Sequence, residues 1–169
     1  RFGGDAEVYR LSPTKLLVAG EGGLVATRPA ELARALRAAR NYGDSGDYDC
    51  PVLGLNARMT EFQAALALAS LPLVDRHVER RHRLAARYEA CLAAEPGIAL
   101  QSIRPQDRST RKDFSLVIDE TRFGATSRLL QSALDQENIQ TRRYFDPPLH
   151  RQQLYRRFYR PEQDRLSTT

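Results

Sequence analysis

Gly54-Leu55-Asn56-Ala57-Arg58-Met59-Thr60-Glu61-Phe62-Gln63-Ala64-Ala65 is the stretch on which the reading of this chain turns. Thr60 and Gln63, three residues apart, form the pattern of a capping box, in which each side chain satisfies a backbone N–H of the other at a helix start. A helix therefore begins at about Glu61, rich in small residues and carrying Phe62, Ala65, Leu66 and Ala69 on one face. The preceding residues 41–55 include Asn41, Tyr42, Gly43, Asp44, Ser45, Gly46 and Asp47 and read as a loop. Asn56 and Arg58 thus sit on a loop bordering a helix, a common location for binding residues. From residue type alone, Asn56 reads as a loop or cap residue.

Upstream, the informative residue is Lys15. The 26 basic residues comprise 24 Arg and only two Lys, Lys15 and Lys112. Arg stays protonated in a protein and cannot act as an amine nucleophile, whereas Lys can do both jobs. Ser12, Pro13 and Thr14 precede Lys15; the apolar run Leu16, Leu17, Val18, Ala19 and the turn Gly20, Glu21, Gly22, Gly23 follow it. The plain reading is a surface lysine at the start of a strand. Lys112, within the charged residues 108–113, serves as the internal comparison. Residues 8–11, 16–19 and 23–27 read as short strands, with the glycines permitting the turn between the last two. Pro29 opens a helix whose Leu32, Leu36 and Ala39 share one face.

Downstream, Pro72 is followed by a long amphipathic helix to about residue 94, with Val74, Val78, Ala85, Tyr88 and Leu92 at helical spacing. The basic cluster Arg76, His77, Glu79, Arg80, Arg81, His82, Arg83 and Arg87 on it reads as a solvated face. Pro96-Gly97 ends the helix. Residues 98–100 and 114–118 read as strands, 127–137 as a helix and 139–143 as a strand. This β-β-α-β order suggests a small α+β unit, giving two domains, 1–94 and 95–169. Both ends of the chain look cut.

The composition narrows the function classes. No apolar run approaches the roughly 20 residues of a membrane span, and no signal-peptide pattern is present. The net charge of +5 is dispersed among acids, and no nucleic-acid-binding motif accompanies it, so a nucleic-acid partner is not expected. His77 and His82, five apart on a helix, point about 140° apart. His150 stands alone, and Cys50 and Cys91 have no ligand-like spacing, so no metal site is expected. Reduced thiols in a cytoplasmic protein are the simplest reading of the cysteines. The glycine turn lacks the spacing of a dinucleotide or P-loop fingerprint.

Three blocks remain: Leu11-Ser12-Pro13-Thr14-Lys15 through Glu21-Gly22-Gly23; Gly54 through Ala65; and Tyr144-Phe145-Asp146-Pro147-Pro148-Leu149-His150. In this order and spacing, they resemble the C-terminal part of the DegT/DnrJ/EryC1/StrS aminotransferases, pyridoxal-phosphate (PLP) enzymes that aminate keto sugars attached to nucleotides. The resemblance implies an α/β chain forming part of PLP-transferase fold type I: the end of the large domain plus a small α+β C-terminal domain. It implies that Lys15 forms the internal aldimine and later moves the substrate proton. It also implies that Asn56 contacts the cofactor phosphate, usually across a dimer interface, and that Arg58 supports that loop. His150 and Tyr144 would lie near the sugar-nucleotide or amino-donor pocket. Ser12 occupies a position often held by His, and Arg10 one where the family usually has a phosphate-binding Ser. The dehydratase branch replaces the lysine with His, whereas this chain keeps Lys15. Glutamate is the implied amino donor, and a homodimer or a separate N-terminal half the implied partner. The family's N-terminal half supplies the Asp at the pyridine nitrogen, the ring over the cofactor and most phosphate ligands. That half and the family's final helix and strand are not expected in this chain. An alternative is a non-catalytic remnant acting as a dimerisation or interaction module.

Overall fold

The computed structural model describes residues 4–160. It divides into two compact units, one formed by residues up to Ala94 with Leu100–Leu116, the other by Glu95–Ala99 with the residues from Val117 onward. Each is described separately.

In the first unit, β1 (Ala6–Arg10) and β2 (Gly23–Thr27) pair antiparallel, from Ala6 opposite Thr27 to Arg10 opposite Gly23. Tyr9 donates its phenol to the Glu7 carboxylate; chiefly that bond, then desolvation and the Glu7 charge, raises the phenol above its ordinary pKa. The expected strand at 16–19 is not formed. Leu11 N–H donates to Gly22 O at 2.9 Å and Ala19 N–H donates back to Leu11 O at 2.9 Å. The apolar run is therefore folded against the end of the hairpin, and Leu11 and Ala19 are among the most buried residues of the chain. Burial, rather than strand pairing, is what its hydrophobicity signalled.

α1 (Ala30–Ala39) follows Pro29, whose extended backbone feeds the first turn. Leu32, Leu36 and Ala39 lie on its half-buried side, as the spacing predicts. Its C-terminal end is clasped to residues 54–57. Leu55 N–H donates to Ala39 O at 2.7 Å, Tyr42 N–H to Leu55 O at 3.0 Å, and Ala57 N–H to Arg40 O at 2.9 Å. Asn41 and Asn56 form an antiparallel bridge. The backbones meet so closely that a Cβ on Gly54 would lie 2.0 Å from Gly43 N and 2.8 Å from Ala39 O.

α2 (Glu61–Ser70) starts at the capping box: Gln63 N–H donates to Thr60 Oγ1 at 3.3 Å and Thr60 N–H to Gln63 Oε1 at 3.0 Å. Its half-buried side carries Gln63, Ala64, Ala67 and Ser70, while Phe62, Ala65, Leu66 and Ala69 are exposed. Ser70 Oγ donates to Val18 O at 3.1 Å, joining this helix to the loop after Lys15.

A 3-10 turn at Leu71–Leu73, with Pro72 at its start, leads into α3 (Val74–Leu92). Val78 and Ala85 are buried, but the same side also carries half-buried Arg81, His82 and Glu89. These hold the returning segment. Arg81 Nη1 donates to Arg111 O at 3.2 Å and Lys112 O at 2.7 Å, and His82 Nε2 lies 2.6 Å from Ser109 O. A carbonyl only accepts, so the proton of that bond is on Nε2. Arg111 pairs with Glu89 at 2.6 Å, and Arg108 with Glu79 at 2.7 Å. The basic cluster is therefore only partly a solvated face: Arg76, His77, Arg80, Arg83 and Arg87 are exposed, while Arg81 and His82 are structural. Exposed pairs such as Arg108–Glu79 contribute under about 1 kcal/mol. The bonds of Arg81 matter more, because they satisfy backbone carbonyls away from water.

β3 (Ile98–Leu100) and β4 (Leu116–Ile118) form the second two-stranded sheet. In the second unit, Asp119 accepts from Thr121 and Arg122 N–H to start α4 (Glu120–Phe123), a short helix that the periodicity does not reveal. Thr126 caps α5 (Ser127–Gln136). The strand expected at 139–143 does not form. Asn138 turns left-handed at φ 59°, Ile139 N–H returns to Leu134 O at 2.9 Å, and Thr141 O accepts from Gln131 Nε2 at 3.2 Å. Helix capping and a side-chain amide thus occupy the groups a ladder would need. Among the described residues, the observed order is β-β-α-α.

Gly54→Ala is expected to lower stability by about 3 kcal/mol, because backbone cannot yield to the new Cβ as a side chain would. Gly46→Ala, at φ +117° with nothing within 4 Å, should cost only the backbone strain, about 1 kcal/mol. Urea unfolding midpoints of the two variants check the contrast.

Candidate functional site

The hairpin loop of the first unit places Ser12 and Lys15 in one turn, closed by Lys15 N–H donating to Ser12 O at 2.9 Å. Ser12 is 3% exposed, yet no hydrogen bond among the described residues uses its hydroxyl. Lys15 is half-buried, and its amine likewise has no ion pair or hydrogen bond among the described residues. Lys112 behaves differently: its Nζ lies 2.7 and 2.9 Å from the two Asp113 carboxylate oxygens. The two lysines of the chain are thus an engaged amine and a free one.

Arg10 ends β1 opposite Gly23 and is exposed. The glycine loop beyond Lys15 has Gly20 at φ 79° and Gly22 at φ 111°. A Cβ on Gly22 would stand 3.1 Å from Met59 Cε, so this loop approaches the end of the second block.

In that second block, Asn56 and Arg58 are both exposed. Arg58 Nε donates to Asn56 Oδ1 at 3.1 Å, and Arg58 Cζ lies 5.4 Å from the centroid of the Tyr42 ring. Tyr42 sits at φ 62°, held there by the clasp between α1 and residues 54–57. The sequence reading passes over Tyr42 as a loop residue. Its signal was available in the Tyr42-Gly43 pair, where a left-handed residue and a glycine make a tight reversal.

His150 and Tyr144 belong to the second unit. His150 lies in a 3-10 turn at Leu149–Arg151, half-buried, its ring 5.0 Å from that of Tyr159. Tyr144 is exposed and its ring lies 5.0 Å from that of Phe145. Beside them, Asp146 accepts from Arg128 at 3.3 Å and Arg143 at 2.5 Å.

A separate cavity of about 220 Å³ in the first unit is lined by His82, Ile103, Asp107, Ser109 and Arg111. Its charged lining is already paired, Arg111 with Glu89 and Asp107 with Arg104, and it contains none of the expected site residues. Among the described residues, no group of three or more His, Cys, Asp or Glu could hold a metal ion.

The donor set of the first two blocks is specific in kind. It offers a primary amine unengaged among the described residues, a hydroxyl, a carboxamide and guanidinium groups. An amine condenses with an aldehyde, and the others donate hydrogen bonds to anionic oxygen.

Comparison with known proteins gives the same direction. The family model of the DegT/DnrJ/EryC1/StrS aminotransferases matches residues 2–169. The chain is 34% identical over 154 residues to a pleiotropic regulatory protein of Geobacillus stearothermophilus, covering 90% of this chain and 40% of that protein. It is 37% identical over 131 residues to the dTDP-3-amino-3,4,6-trideoxy-alpha-D-glucose transaminase of Streptomyces venezuelae, covering 78% of this chain and 33% of the transaminase. Among solved structures, DesI in the presence of its TDP-sugar product is 35% identical with a TM-score of 0.83, covering 90% of this chain and 39% of DesI. The chain therefore spans about 40% of the length of such relatives.

Reductive methylation with limiting formaldehyde is expected to modify Lys15 before Lys112, because the Lys112 amine must first leave Asp113. Peptide mass analysis reads the order, and prior modification of Lys112 would show that a partner engages Lys15.

Proposed function

The chain belongs to the DegT/DnrJ/EryC1/StrS aminotransferase family, and from that premise we propose that it is the C-terminal part of a PLP-dependent enzyme that converts a nucleotide-linked keto sugar to an amino sugar, with glutamate as donor. The observation that carries this reading is the half-buried Lys15, whose amine has no ion pair or hydrogen bond among the described residues, in one turn with Ser12. In this reading, residues 1–94 end the cofactor-binding large domain and residues 95–169 form the small domain.

The residues fit the cofactor in kind. Asn56 would donate to its phosphate, Ser12 and Arg10 would line the cofactor site, and Lys15 would hold the cofactor covalently. When bound, PLP supplies an aldehyde for condensation with amines and a ring that takes up the electron pair of a breaking C–H bond. Lys15 Nζ then carries the proton at the carbon that gains or loses nitrogen, a task that requires an amine able to be neutral. Arg58 supports the loop of Asn56. His150 and Tyr144 serve the sugar-nucleotide or amino-donor side of the site.

The partner is a second copy of the chain or the family's N-terminal half. Exposed apolar side chains support a macromolecular contact: Leu53 is 97% and Phe62 90% exposed, with Leu55 and Leu68 also in solvent. The free thiols of Cys50 and Cys91 support a reducing, cytoplasmic setting. No helix among the described residues is long and apolar enough to cross a membrane. A second reading, a non-catalytic interaction module, is favoured by Arg10, whose side chain is far bulkier than the Ser usual at that position.

The protein as its gene encodes it, incubated with PLP and reduced with borohydride, should carry a phosphopyridoxyl group on Lys15. The visible absorption band should vanish in Lys15→Ala. A folded oligomer that takes up no PLP would establish the interaction module instead. Phe62→Asp is expected to weaken association at least about tenfold, a loss of roughly 1.4 kcal/mol or more. Sedimentation velocity over a concentration series checks this, and unchanged association would place the interface elsewhere.

A further inference from the structure

We propose that Arg58 is a positioning residue: it fixes the Asn56 carboxamide so that the amide N–H₂ is presented to an anionic oxygen, the phosphate of the cofactor in the reading above, on which this inference rests. The argument begins with the donor inventory. Arg58 Nε donates to Asn56 Oδ1 at 3.1 Å. A guanidinium has five donors and no acceptor, so only the oxygen end of the carboxamide can face it. The N–H₂ end is thereby left free, and no other side-chain hydrogen bond of Asn56 exists among the described residues. A free carboxamide rotates broadly about χ2. In half of its orientations, it would present oxygen to a phosphate oxygen, which repels. Arg58 removes those orientations before the ligand arrives, the kind of preorganisation that strengthens binding without a new contact.

Arg58 is itself held. Its guanidinium stacks on the Tyr42 ring at 5.4 Å, and the Tyr42 backbone is pinned by its N–H to Leu55 O at 3.0 Å. The backbone of Asn56 is pinned by its bridge to Asn41 and by Ala57 N–H to Arg40 O at 2.9 Å. The three side chains therefore form one chain of constraint, from the Tyr42 ring to the Arg58 guanidinium to the Asn56 amide. Lysine at position 58 would keep the charge but lose the planar group that stacks and donates sideways.

The test compares dissociation constants for PLP and for pyridoxal, which lacks the phosphate, using the protein as its gene encodes it. Asn56→Ala is expected to weaken PLP about tenfold and Arg58→Ala about twofold, the factor that freeing half of the amide orientations costs, both leaving pyridoxal unchanged, with Arg58→Lys close to Arg58→Ala. The double variant should be no worse than Asn56→Ala alone. Tyr42→Leu, which does not touch Asn56 and acts only by freeing Arg58, should weaken PLP by about twofold or less and spares the test if Arg58→Ala fails to fold. Additive losses in the double variant would overturn the proposal, because Arg58 would then contact the anion itself. Equal losses for pyridoxal would reduce Arg58 to a general structural role, and full rescue by Arg58→Lys would leave only its charge. If the unmodified protein takes up neither compound, the cofactor reading falls and this inference with it. If it takes up both and only the variant pattern fails, the cofactor reading stands and the inference alone is lost.

Discussion

The approach of Gly43 to Gly54 is the constraint on which the candidate site depends. Backbone hydrogen bonds between the end of α1 and residues 54–57 require the two segments to meet without side chains between them. A Cβ on Gly43 would come within 1.8 Å of Val52 O, and one on Gly54 within 2.0 Å of Gly43 N. Neither neighbour is a flexible side chain, so neither can yield. Residues 54–61 inherit their position from this clasp. It sets Tyr42 in its left-handed conformation, aims Asn56 and Arg58 from the same short segment, and delivers the chain to Thr60, where the capping box starts α2.

The use of cations follows a related logic. Arginine provides forked, permanently charged donors, and the first unit uses them where several acceptors must be met at once. Arg81 satisfies two carbonyls of the 104–113 segment, Arg111 meets Glu89, and Arg108 reaches both Asp75 and Glu79. Lys112 is spent on its neighbour Asp113. Lys15 alone of the two lysines keeps its amine unengaged among the described residues.

Signals carried by a few consecutive residues were the legible ones. The capping box of Thr60 and Gln63, the position of α1 after Pro29, the long helix α3 and the cap-to-end span of α5 all depend on local chemistry. What failed depended on partners elsewhere. The run Leu16 to Ala19 is apolar because it is folded against Leu11, not because it pairs as a strand. Residues 139–143 have strand-like composition, but Gln131 and the α5 terminus take their hydrogen-bonding groups. Arg81 and His82 look like solvent residues until the returning segment is laid over them. Tyr42 escaped notice because its role depends on a ring, a guanidinium and an amide that only the clasp brings together. The order of the three motif blocks was legible, and it is what tied the chain to its family.

The face of α2 extends this argument. Its ten residues are nearly all apolar or small, yet only Gln63, Ala64, Ala67 and Ser70 turn inward, while Phe62 and Leu66 stand in solvent. A helix apolar on all sides is ordinarily buried on all sides. The uncovered face begins immediately after Asn56, Arg58 and Met59, so whatever covers Phe62 must also come close to those residues. Burial of Phe62 and Leu66 would gain about 1.5–3 kcal/mol for each side chain, and in the proposed reading that gain would bring the covering surface up to the Asn56 amide.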